Sequence, residues 1–324
     1  MCIRDRALPY KDYVTPGSNV KVQEYLRHSS VKVGGSWAPI EDVRVNDNGS
    51  WRDVKEVYVK HSGSWRLVHE GEHFHFIQAF SVFLDGEWNI PNWVANTAGY
   101  SGNKVKGVVI LGNKNDQNAG NYSRQLNLGN FSSDSIIYLR LQLNSTIIPA
   151  GGNGGNVGNN GTNGQRGLYS RTNFILDNAG MIAGGGGGGA GGNNSNYTYP
   201  VEQPFGCMKG NTCYQTQNVT EFVPGGGGGG GAGYPSSNTG RGGNGGSNAY
   251  NGANGQLYGG GGGGGAAQNG TSNAGGAGGD LGFDGQDTPG GGTPGTSGTA
   301  IDGWSYRVGQ AGNGDGVIKG PKVN

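Results

Sequence analysis

Three small groups of side chains have types and spacings that could do chemistry, and none completes a catalytic set. His73-Phe74-His75 puts two imidazoles on one face of a strand, with Phe74 opposite. In a trimer, three such pairs would offer six nitrogens to one transition metal on the axis; exposed strand histidines are the plainer reading. Cys207 and Cys213 lie six residues apart and either close a small disulfide ring or remain two thiols. No histidine follows His75, so zinc at these cysteines is not expected. Asp280, Asp284 and Asp287 could turn oxygens on Ca²⁺, but their spacing is not that of an EF-hand loop and no closing Glu follows. A solvated loop is expected there. A Gly-Lys-Ser/Thr phosphate loop and a Gly-x-Ser-x-Gly elbow are both absent, and GxGxxG matches mean little in so glycine-rich a chain. Neither a cofactor nor catalysis is expected.

The other chemistry is that of contact surfaces. The longest glycine-poor stretch in the second half, residues 193–223, carries Tyr197, Tyr199, Phe205, Tyr214 and Phe222. Shorter loops carry Tyr234, Tyr250 and Tyr258. Tyrosine gives rigid amphipathic area at low entropic cost, and the surrounding Ser, Asn and Gly give adaptable hydrogen bonding. Some aromatics must instead cover the scaffold, Trp304 and Tyr306 foremost, and Arg166 and Arg171 are expected to anchor a junction.

The scaffold that must position these residues is written in glycine. Of 72 glycines in 324 residues, only thirteen precede residue 151. The clearest runs among the rest lie at 184–192, 225–233, 240–246, 259–265, 275–279 and 290–292, without the strict three-residue period of collagen. Such segments bury little apolar side chain, so an ordinary core is excluded from about residue 180 onward. An extended left-handed helix of three residues per turn has no internal hydrogen bonds, and glycine lets such helices approach until their backbones pair on several sides. Disorder is the competing expectation from composition. The regular alternation of runs with aromatic loops favours packed layers with loops at their ends.

The first half reads as β structure. Gly34-Gly35-Ser36-Trp37 recurs as Asn48-Gly49-Ser50-Trp51 and Ser62-Gly63-Ser64-Trp65, a period of 14. Each unit reads as strand, glycine-centred turn, strand, with the three tryptophans stacking into a small core or, alternatively, forming a carbohydrate-binding row. Residues 72–150 are strand-rich and suit a sandwich or a wrapped sheet; Ile136, Tyr138, Leu139, Leu141 and Leu143 are available for burial. No segment keeps a 3.6-residue apolar period. A formal charge of +1 gives no footprint for nucleic acid, and no stretch of 18 apolar residues exists to enter a membrane.

Ile147-Ile-Pro-Ala-Gly-Gly-Asn-Gly-Gly-Asn, then Arg171-Thr-Asn-Phe-Ile-Leu-Asp-Asn-Ala-Gly-Met-Ile-Ala followed by six glycines, resembles the receptor-binding tip adhesins of T-even-like phage long tail fibres. The second Gly-Gly-Asn-Gly-Gly, at 242–246, and the run at 259–265 fit the same motif set. The resemblance covers 151–324 well and 88–150 loosely. It implies an all-β N-terminal region followed by a layered polyglycine II helix bundle with displayed loops and little α-helix. It implies a fibre-attachment domain (72–150) and a receptor-binding domain (151–324); the Trp-repeat module (31–71), which departs from that family, and an N-terminal segment (1–30) precede them. The opening Met-Cys-Ile-Arg-Asp-Arg resembles an adaptor-derived start and is given no structure. The implied partners are a tail-fibre shaft protein and a bacterial outer-membrane protein or glycan, met at the distal tip of the virion's fibre. Tyr197, Tyr199, Phe205, Tyr214, Phe222, Tyr234, Tyr250 and Tyr258 become the receptor-contact candidates. A fibre or extracellular filament subunit is the alternative.

Overall fold

The computed structural model describes residues 3–5, 29–33, 36–39, 44–47, 49–54, 56–61, 63–70, 73–80, 84–100, 102–112, 121–206, 212–234, 240–265, 273–310 and 316–324. Strand β1 (Ile3–Asp5), in the opening hexapeptide, pairs antiparallel with β2 (Ser29–Val33), which pairs with β3 (Ser36–Pro39). Hairpins β4 (Arg44–Asp47) with β5 (Ser50–Asp53), and β6 (Glu56–His61) with β7 (Ser64–Glu70), repeat the design. Their two-residue turns force the second position to positive φ, and Gly49 and Gly63 both sit at φ 85°. The expected tryptophan core does not form: Trp51 and Trp65 are each 68% exposed. They lie beside the turns opposite Asn46 and Lys60, and among the described residues neither hairpin pairs with another strand that would bring the rings together. Trp37's side chain lies outside the described residues.

From residue 74 the chain winds. β8 (Phe74–Phe80) is followed by β9 (Leu84–Asn89), helix α1 (Ile90–Asn96), β10 (Val105–Leu111), β11 (Asn121–Asn127), β12 (Ile136–Leu141) and β13 (Ser145–Ile147). Then come β14 (Leu168–Tyr169), β15 (Asn173–Asn178) and β16 (Met181–Ala183), two long strands β17 (Ser195–Gly206) and β18 (Thr212–Val223), and finally β19 (Ile301–Asp302), β20 (Arg307–Gln310), β21 (Val317–Lys319) and β22 (Lys322–Val323). One sheet has the order β20-β15-β12-β10-β8; another runs β21-β16-β13-β11-β14-β19-β22, with β9 also on β11. Every ladder in both is parallel. Strands that alternate between two parallel sheets describe a wrapped solenoid, not a sandwich. Its interior holds Val105, Val109, Leu126, Ile137, Leu139, Phe174 and Ile182, all fully buried, with Ile90 and Val94 of α1 laid against them. Gly107 is glycine because a Cβ there would stand 2.2 Å from the Phe76 ring. β12 buries both faces: Tyr138 and Arg140 are covered as well as the interior leucines. Leu143, expected inside, is 67% exposed because the strand stops at Leu141 and turns through Asn144 at φ 65°.

The sheets do not stop where the composition changes. β14–β16 and β19–β22 all lie beyond residue 151 and pair with earlier strands or with one another in the same ladders. The glycine-rich chain leaves the solenoid twice, between β13 and β14 and between β16 and β19. In the last turn only Gly320 and Pro321 separate β21 from β22.

Within these excursions the backbone pairs by a rule of three. Gly185, Gly186 and Gly187 donate to Gln165, Ala232 and Phe283; Gly188, Gly189 and Ala190 donate to Thr162, Gly229 and Gln286. The carbonyls of Gly185, Gly186 and Gly187 accept from Gly298, Gly152 and Gly279. Segment 184–192 therefore touches six others. Segment 225–233 does the same, donating to 273–279, 250–256 and 149–155 and accepting from 186–192, 261–264 and 243–246. These contacts fix three layers: 159–166, 149–157 and 240–246; then 292–299, 184–192, 225–233 and 250–257; then 283–289, 273–280 and 259–265. Ala190 and Ala232 in the central runs are buried, whereas asparagines of the outer segments are exposed and have work there. The side-chain oxygens of Asn153, Asn156, Asn160 and Asn163 accept from the backbone N–H of Arg241, Asn244, Thr293 and Thr296, at 2.8–2.9 Å. Asp280 and Asp284, expected in a solvated loop, accept in the same way from Gly260 and Ser297.

Candidate functional site

Pairing directions give the layered region two ends. Segments 149–157 and 184–192 run away from the solenoid after β13 and β16; 159–166 and 292–299 run back to β14 and β19, antiparallel to them. Successive segments alternate in this way throughout. The turns near residues 157 and 248, the turn 287–291 and the β17–β18 excursion therefore lie at the far end. Tyr234, the turn at 256–259 and the turn at 280–283 lie at the base.

This separates the eight aromatic candidates. Tyr197, Tyr199, Phe205, Tyr214 and Phe222 ride on β17 and β18, and Tyr250 closes a turn at the same end; Phe205, Tyr214, Phe222 and Tyr250 are exposed. Tyr234 belongs to the base, where it packs with Met181 and Leu257 on buried Ile148, Ala183, Ala232 and Leu281. Tyr258 is exposed, but on the base turn. Trp304 and Tyr306 pack against the solenoid core. Arg166 and Arg171 both pair with Asp302, at 3.2 and 2.8 Å, and stack over Tyr169, tying β14 to β19 at the junction.

The stretch 193–223, read as a loop, is a hairpin of two twelve-residue strands in continuous register from Ser195↔Val223 to Gly206↔Thr212. One face carries Tyr197, Tyr199, Val201 and Phe205 with Cys213, Val219 and Glu221 opposite. Tyr197 and Tyr199 stack at 5.5 Å. The Tyr199 hydroxyl donates to Glu221, 3.2 Å away, and that carboxylate raises the phenol above its ordinary value. The other face carries Pro200, Pro204, Tyr214 and Phe222 among threonines, with Thr198 and Thr220 bonded across the strands at 2.9 Å. Cys213 is disulfide-bonded; Cys207 lies outside the described residues. Glu221, Thr198 and the two prolines had not been singled out from sequence. The signal for the hairpin is the β-branched and aromatic enrichment of 195–206 and 212–223.

His73 sits just before β8, mostly buried, with Nε2 3.5 Å from Asp134; Lys104 approaches the same carboxylate at 3.2 Å. A hydrogen bond from Ser132, aided by Lys104, holds the Asp134 carboxyl down at about 2. His75 lies on β8, and its side chain lies outside the described residues. Among the described residues no cluster of three or more His, Cys, Asp or Glu is placed to hold a metal, and no helix is long and apolar enough to cross a membrane.

The chain thus joins a parallel β-solenoid to a backbone-bonded glycine scaffold, with a hairpin and turns bearing exposed aromatic side chains at the scaffold's far end. The sequence model of the phage tail fibre adhesin Gp38 matches residues 80–323, and the chain belongs to that family. No curated protein sequence matches it. Among solved structures it is similar to the crystal structure of the gp37-gp38 adhesin tip complex of the bacteriophage S16 long tail fiber, with 20% identity, 76% of this chain and 82% of that chain covered, and a TM-score of 0.36.

Proposed function

We propose that this tail-fibre adhesin binds a bacterial surface receptor non-covalently, through the hairpin and turns at the far end of its glycine layers, at the distal tip of the virion's long tail fibre. One observation carries the reading: the hairpin that leaves the layers at the end opposite the solenoid carries Tyr197, Tyr199 and Phe205 on one face and Tyr214 and Phe222 on the other, and Tyr250 lies exposed on a turn at that same end. A rigid base with a polar and aromatic tip is the arrangement of recognition surfaces. The three-residue rotation of hydrogen-bond partners supports polyglycine II helices as the form of the runs. The solenoid takes the role of attachment to the fibre shaft, by analogy with the gp37-gp38 pairing named for the S16 structure. Cys207 closes a ring with Cys213 that stiffens the hairpin's tip. No catalytic step is assigned to any residue.

The test is saturable binding of the labelled full chain to a panel of whole bacteria, beside a variant whose residues 196–222 are replaced by a short Gly-Ser turn. Binding to a subset of strains should fall by about 100-fold or more in the variant, with its melting temperature unchanged. Undiminished binding would remove the hairpin from the receptor face. Concentration-dependent filaments without cell binding would favour a structural subunit.

A further inference from the structure

The two edges of the hairpin are not alike. Proline has no N–H, so Pro200 and Pro204 can stand only at positions of β17 that do not bond across to β18. Their partners are Asn218 and Tyr214, which makes Tyr199↔Val219, Val201↔Gln217 and Gln203↔Gln215 the bonded pairs. The outward row on β17 is therefore Asn196, Thr198, Pro200, Glu202, Pro204 and Gly206: two missing donors, two blocking rings and a carboxylate. The outward row on β18 is Thr212, Tyr214, Thr216, Asn218, Thr220 and Phe222, with every N–H present and neither proline nor charge. Among the described residues no strand other than β17 pairs with β18. Tyr214, Thr216, Asn218, Thr220 and Phe222 are all exposed.

Long uncharged edges invite strand pairing, and proteins blunt the edges they do not use. Here β17 is blunted and β18 is left open over its whole length, at the end of the molecule that meets the receptor. We infer that β18 receives an extended polypeptide segment of the receptor as an added strand, Tyr214 and Phe222 supplying side-chain pockets on the exposed face. The ladder of β17 and β18 continues directly into that added strand, and a row of alternating N–H and C=O groups is complementary to an extended backbone but not to a sugar ring or a lipid. This rests on the tip being the receptor face. It adds that the receptor is a protein and that main-chain hydrogen bonds carry much of the affinity.

A proline at Asn218 or Thr216 removes an outward donor and blocks the edge without taking a bond from the hairpin's own ladder, as Pro200 and Pro204 already do across from it. The full-length N218P and T216P variants should each lose at least about tenfold in binding to the susceptible strains. E202P, on the edge already blunted, should bind within about twofold of the parent. Thermal melting and circular dichroism of the three variants should coincide, which sets edge blockade apart from unfolding. Proteinase treatment of the cells should abolish binding, and periodate oxidation of their glycans should not. Undiminished binding by N218P and T216P, when the Gly-Ser hairpin replacement does abolish it, would overturn strand addition and leave the tip assignment standing. Equal losses in all three proline variants, or periodate-sensitive binding, would also overturn it.

Discussion

Gly188→Ala should destabilise the glycine layers by on the order of 3 kcal/mol or more, and Gly229→Ala should match it. A Cβ at Gly188 would stand 1.9 Å from the carbonyl oxygen of Asn153, and one at Gly229 would stand 1.9 Å from that of Gly261. Neither obstacle is a side-chain end that can rotate away. Each is backbone already bonded within the layers, so relief requires separating two segments and loosening the bonds of both. Gly262→Ala is the matched control. Nothing lies within 4 Å of its added Cβ, and its φ is not in the left-handed region. That substitution should be neutral, or stabilising by up to about 1 kcal/mol through the unfolded chain. Denaturant titration of the three variants, with cell binding as a second readout, checks both halves. Equal midpoints for Gly188→Ala and Gly262→Ala would contradict the packing described.

The second large effect belongs to the solenoid. Arg140 and Asp177 are both buried on neighbouring strands, 3.4 Å apart, and the Tyr138 hydroxyl donates to the same carboxylate at 2.8 Å. Nη1 of Arg140 is buried with no hydrogen-bond partner among the described residues. Asp177→Ala leaves the buried Arg140 guanidinium without its carboxylate and removes one partner of the Tyr138 hydroxyl, and should cost about 3–5 kcal/mol. Replacing the whole set, Tyr138→Phe with Arg140→Met and Asp177→Leu, removes the charges along with their desolvation, and should recover most of that loss. If the triple variant is no more stable than Asp177→Ala alone, burial of an unpaired charge is not the cause.

What was legible in the sequence follows from how local each signal is. Gly49 and Gly63 announced their turns because a two-residue hairpin turn needs a left-handed residue and the sequence offers glycine at 14-residue spacing. The glycine layers were legible as such because only backbone can fill an interior built of 184–192 and 225–233. The solenoid was not legible as parallel coils. β20 pairs with β15 across more than 120 residues of intervening chain, and β12 is covered on both faces, which erases the alternation that reveals a strand's inward side. The hairpin reads as a loop from sequence, and Pro200 and Pro204 would break an inner strand. On an outer edge they interrupt nothing. Tyr234 and Tyr258 were grouped with Tyr250 because nothing around a single turn says which end of a layer it occupies. That is decided by counting reversals of the chain from the solenoid outward.

An interior made of amide groups should also respond differently to temperature. Ordinary domains owe their positive heat capacity of unfolding, and hence the curvature of their stability with temperature, to apolar surface newly wetted; exposing polar surface works in the opposite sense. The segments around 184–192 and 225–233 bury chiefly N–H and C=O, and among the described residues their apolar side-chain cluster is the small one at the base. Their unfolding should therefore carry a heat capacity per residue well below the usual ~12–15 cal/mol/K, giving a flatter stability curve and little tendency to unfold in the cold. For a particle waiting in its environment between hosts, the tip would keep its shape across swings of temperature that would loosen a hydrophobic core of similar size.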